Sequence, residues 1–64
     1  MKKTIEKIRI TRLAKGYTQD YMSEKLDINQ RTYSKLERGL IELTIKRLKA
    51  IAKILEIDVK ELIE

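Results

Sequence analysis

Between Thr18 and Gly39 the chain reads TQDYMSEKLDINQRTYSKLERG, and the placing of its polar and apolar residues predicts two short helices joined by a tight turn. Thr18 is of a type that caps the free amides of a first helical turn, and Asp20 complements the positive end of the helix. Met22 and Leu26, four apart, share one face, and the small Ser23 between them lets a neighbouring helix approach closely. The pattern stops at Leu26-Asp27-Ile28. Asp tolerates a positive φ better than most residues other than glycine, so Asp27 is expected to turn the chain, with Ile28 as a buried plug between the helices. Asn29 is a strong N-cap for a helix from Gln30 to Arg38, which Gly39 ends. In that helix Tyr33 and Leu36, with Thr32 beside them, mark the inner face. Gln30, Arg31, Ser34, Lys35 and Arg38 remain for the outside, where amide and cationic groups have the chemistry of base and phosphate contact.

Upstream, the stretch from about Thr4 to Lys15 forms a further helix that Gly16 can end in a left-handed conformation. Two apolar stripes compete on it: Ile5, Ile8 and the stem of Arg12 on one side, Ile10, Leu13, Ala14 and Tyr17 on the other. Periodicity does not choose between them. If the first is buried, Ile10 and Leu13 form an exposed patch available to a partner. Downstream, Leu40 to Leu43 is a loop with three apolar residues, and Thr44 caps a fourth helix whose core stripe is Ile45, Leu48, Ile51, Ala52 and Leu55. A short last helix is expected after Asp58, with Val59, Leu62 and Ile63 facing inward.

The composition narrows the function. Sixty-four residues hold one small domain, here 1–64 with the helix pair at about 18–39. The absence of Cys and His removes disulfides, thiolate metal sites and the usual general base. No phosphate-binding loop and no carboxylate pair in an evident cleft is seen, so neither an enzyme nor a metal or other cofactor is expected. Fifteen Lys and Arg against ten Asp and Glu give a net charge of +5, which favours an anionic partner, nucleic acid first. The excess is uneven: residues 1–16 carry six basic and one acidic side chain, whereas 56–64 carry one and four. The acidic end is expected to point away from nucleic acid. No apolar run approaches the roughly 18 residues of a membrane span, and MKKT lacks the apolar region of a signal peptide, so a cytoplasmic, nucleoid-associated protein is expected.

Gly16-Tyr17-Thr18-Gln19, the turn at Asp27-Ile28-Asn29, and Tyr33-Ser34-Lys35-Leu36-Glu37-Arg38-Gly39 together resemble the lambda-repressor and Cro-like (XRE-type) helix-turn-helix family. The resemblance runs from about Ile5 to Ile63. It implies an all-α, compact five-helix domain whose third helix enters the major groove of double-stranded DNA, as a homodimer on a two-fold-related operator. By matching positions it implies base contacts from Gln30, Arg31 and Lys35, and phosphate contacts from Thr18, Gln19, Ser34 and Arg38. It also implies a structural ion pair between Arg12 and Glu37. The chain departs from the family pattern at Ser23, where alanine is usual, at Asp27, where glycine is usual, and at Thr11, where an apolar residue is usual. Leu40, Ile41 and Leu43 replace a more polar loop.

The leading expectation is therefore a sequence-specific DNA-binding regulator, in all expectation a transcriptional repressor. Two other readings compete. An antitoxin would bind its own promoter and also a toxin, through the Ile10 and Leu13 patch. A protein-interaction module on the same fold would use Leu40, Ile41 and Leu43.

Overall fold

Four α-helices and one turn of 3-10 helix follow one another in the computed structural model, which describes residues 2–63. They are α1 (Lys2–Ala14), α2 (Gln19–Leu26), α3 (Gln30–Glu37) and α4 (Ile45–Ile54), with the 3-10 turn at Val59–Glu61. Glu64, counted above with the acidic end, lies outside the described residues.

Side chains start the elements as their chemistry dictates. The Tyr21 amide donates to Thr18 Oγ1 at 2.9 Å, the Thr32 amide to Asn29 Oδ1 at 2.8 Å, and the Arg47 amide to Thr44 Oγ1 at 3.1 Å. Each bond satisfies one of the four amides a helix start leaves free. Asp58 does the same for the 3-10 turn, accepting from the Lys60 amide at 2.9 Å, while its own amide donates to Glu61 Oε2 at 3.2 Å. That reciprocal pair is a capping box.

The helices all stop in one way. Two backbone bonds close each end: Gly16 N to Leu13 O and Tyr17 N to Arg12 O after α1, Asp27 N to Glu24 O and Ile28 N to Ser23 O after α2. Gly39 N to Leu36 O with Leu40 N to Lys35 O, and Glu56 N to Lys53 O with Ile57 N to Ala52 O, repeat the motif after α3 and α4. This termination needs a left-handed residue, and φ is +75° at Gly16, +72° at Gly39, +59° at Asp27 and +58° at Glu56. A side chain in that region costs about 1–2 kcal/mol. Asp27→Gly is therefore expected to stabilise the protein by up to about 1 kcal/mol, after subtracting the greater freedom glycine gives the unfolded chain. Urea unfolding measures the change, and a loss of stability would contradict the strain at Asp27.

Ile8, Met22, Tyr33, Leu36, Leu43, Leu48, Ile51, Ala52, Leu55 and Leu62 form one buried cluster. The choice between the two stripes of α1 falls to the first. Thr4, Ile8 and Arg12, four residues apart, are buried, whereas Ile10 and Leu13 are 55% and 60% exposed. Thr4 joins the core although its hydroxyl finds no hydrogen-bond partner among the described residues. Ile28 is half-buried against the cluster and does not plug it completely.

Three apolar expectations are corrected. Ile45 is 58% exposed: its angle on α4 suits the core stripe, but as the first residue of the helix it overhangs the end of the core. Leu43 is buried and closes the core beneath the α3–α4 loop, so only Leu40 and Ile41 of that loop are exposed. Ile63 is 48% exposed, because the last element is a 3-10 turn. At three residues per turn Val59 and Leu62 share a face, and Ile63 is carried off it.

Candidate nucleic-acid interface

The outer side of α3 is assembled by what lies beneath it. Tyr33 and Leu36 are buried and fix the rotation of the helix about its axis. At 3.6 residues per turn, Gln30, Ser34, Arg38, Arg31 and Lys35 then fall within a sector of about 140° facing away from the core. Gln30, Arg31, Lys35 and Arg38 are exposed and Ser34 is half-buried. The Arg38 side chain folds back, its Nε donating to the Ser34 carbonyl at 3.3 Å. The sector thus carries three cations and one primary amide along roughly 12 Å of helix axis.

Glu37, buried at the edge of that sector next to the angle of Gln30, fastens the helix to its neighbours. Its carboxylate is buried and receives four hydrogen bonds. Arg12 Nε donates to Oε2 at 2.7 Å and Arg12 Nη2 to Oε1 at 3.1 Å, a bidentate ion pair between α1 and α3. The Tyr33 hydroxyl donates to Oε2 at 2.5 Å, and Gln19 Nε2 donates to Oε1 at 3.1 Å. Arg12 Nη1 also donates to the Tyr17 carbonyl at 2.9 Å, which ties the entry of α2 to the same cluster.

These contacts set the charge states. Burial by itself would push the Glu37 carboxyl up, but the hydrogen bonds from Arg12, Tyr33 and Gln19 outweigh it and hold the group below the usual carboxylate range. The bond to Glu37 raises the Arg12 guanidinium further above its already high value, against the opposing effect of burial. Burial first, and the hydrogen bond to Glu37 second, push the Tyr33 phenol up, so it remains a proton donor.

Gln19 and Thr18 sit at the start of α2. One amide hydrogen of Gln19 is committed to Glu37, which orients the group and leaves the second hydrogen free. Thr18 is exposed; its oxygen accepts from the Tyr21 amide, and its hydroxyl hydrogen can still be donated outward. The Tyr33 hydroxyl and the Gln19 amide were not foreseen as partners of Glu37. The spacing of Tyr33 and Glu37, four apart on one helix, is a signal that could have found the first. Nothing in the sequence points to the second. Beside the cluster, the Tyr17 and Tyr21 rings pack with centroids 4.4 Å apart, and Lys25 Nζ lies 5.5 Å from the Tyr21 ring centre.

The helix-turn-helix family model matches residues 8–62, a span that takes in the buried Ile8 and Arg12, both helices of the pair and the terminal Leu62. The chain belongs to the lambda repressor-like (XRE) helix-turn-helix family. Neither the curated proteins nor the solved structures gave a match. Membership makes α2 and α3 the DNA-binding pair of a family whose members are typically not enzymes. Among the described residues no group of His, Cys, Asp and Glu could hold a metal ion, and no helix is long and apolar enough to cross a membrane.

Proposed function

We propose that this helix-turn-helix protein is a transcriptional repressor, acting as one domain over residues 1–64 and associated with the nucleoid. It reads an operator by laying α3 in the major groove. The observation that carries this is the sector of Gln30, Arg31 and Lys35, exposed on a helix whose rotation is fixed by buried Tyr33, Leu36 and Glu37. Gln pairs bidentately with adenine, and Arg and Lys with guanine. Ser34 and Arg38 within that sector, and Thr18 and Gln19 at the start of α2, serve as phosphate contacts, which set register without reading sequence. Two copies bind together on a two-fold operator, the arrangement that this docking geometry favours.

Selection from a random pool of duplexes tests the reading. The intact protein is expected to enrich one preferred sequence, and a pool with no enrichment would overturn the operator reading. Gln30→Ala or Arg31→Ala is expected to reduce discrimination at one base position by about 1–3 kcal/mol, roughly 5- to 150-fold, with the other positions unchanged.

A further inference from the structure

We propose that the groove between α2 and α4 is a second phosphate site, which holds the sugar-phosphate strand of DNA flanking the segment read by α3. The inference rests on the reading of α3 as the DNA-contacting helix. The groove has a volume of about 420 Å³, and four cations stand on it: Lys25 from the last turn of α2, and Lys46, Arg47 and Lys53 from α4. No acidic side chain lines it, although the chain has ten. The groove between α1 and the end of α3 differs, since Lys2, Arg9 and Arg38 there are accompanied by Glu6 and Glu37.

Two features favour a polyanion as occupant. Lys46 and Arg47 lie in the first turn of α4, which contains no acidic residue. Cations there oppose the positive end of the helix, and a phosphate supplies the missing countercharge. The floor is apolar, made of Leu26, Ala50 and Ile54, and deoxyribose presents an apolar face between successive phosphates. Position agrees with this occupant. Lys25, in the last turn of α2, is four residues ahead of Asn29, the cap of α3, so one of the four cations stands close along the chain to the end of α3 that carries Gln30 and Arg31.

The test compares the intact protein with Lys25→Gln/Lys53→Gln, two exposed positions away from the proposed reading face. The plot of log affinity against log salt is expected to become less steep by about 1.8, at about 0.9 per phosphate lost. Lys53→Gln alone is expected to give half of that, and it leaves the Lys25–Tyr21 contact intact. Shortening the flanking DNA should weaken binding by the intact protein more than by the double variant, which keeps Lys46 and Arg47, while scrambling the flank at constant length should change neither. An unchanged slope and an unchanged dependence on flank length would overturn the proposal and leave the groove to an acidic protein partner. If selection enriches no sequence but the slope still falls by about 1.8, the groove stands as a sequence-independent track and only the operator reading fails.

Discussion

Replacing Glu37 with alanine is expected to cost about 3–5 kcal/mol, a large part of the 5–15 kcal/mol that ordinarily separates folded from unfolded states. The carboxylate is buried, and removing it strands Arg12, whose side chain is only 9% exposed, without its counter-ion. The Tyr33 hydroxyl and one Gln19 amide hydrogen lose their acceptor in the same step. A buried charge left unpaired is far more destabilising than the pair is stabilising, because desolvation of the guanidinium is no longer offset. The variant is therefore expected to be largely unfolded or to unfold at low urea.

A second variant separates the charge from the packing. Arg12→Met/Glu37→Met removes both ions and keeps side-chain volume, so it should recover most of the stability lost in Glu37→Ala. Urea unfolding of the set is the measurement. A cost below about 1 kcal/mol for Glu37→Ala would show that water reaches Arg12 and that the pair behaves as a surface ion pair.

The sequence disclosed those parts of the fold that rest on local chemistry. Thr18, Asn29, Thr44 and Asp58 mark helix starts by their hydroxyl, amide and carboxylate oxygens, and Gly16 and Gly39 mark ends. Such signals need no knowledge of the tertiary structure, and the boundaries fall close to where they place them. What stayed hidden depended on three-dimensional surroundings. The two stripes of α1 have comparable periodicity, and which of them is buried follows from the packing of Thr4, Ile8 and Arg12 against the other helices. Ile45 shares the angle of the α4 stripe but not its depth, and depth is not encoded in spacing. Glu56 adopts a left-handed conformation with no glycine or asparagine to announce it. In the interface the exposed sector of α3 was legible because Tyr33 and Leu36 define its reverse. The four donors on Glu37 come from three separate stretches of chain, so their convergence required the fold.

Removing a single oxygen from that cluster gives the second large effect. Tyr33→Phe is expected to cost about 1.5–3 kcal/mol at neutral pH, the usual worth of a hydrogen bond to a charged group, with the ring still filling its place in the core. The size of the effect should depend on pH. Glu37 titrates below the ordinary carboxylate range in the folded protein and at about 4.3 in the unfolded chain. The folded state thus binds fewer protons than the unfolded one through this interval, and stability rises with pH. The contribution of Glu37 is complete above the unfolded value and is lost as pH falls through the folded one. Without the Tyr33 hydroxyl, one of the bonds that lower Glu37 is gone while the burial that raises it remains. The depression shrinks, and less stability remains to be lost in acid. The gap between the intact protein and Tyr33→Phe should consequently narrow between about pH 5 and pH 2, as read from urea midpoints at each pH. A gap that stayed constant across that range would mean that the hydroxyl bonds equally well to the protonated carboxyl, and that the charge on Glu37 is not what the tyrosine stabilises.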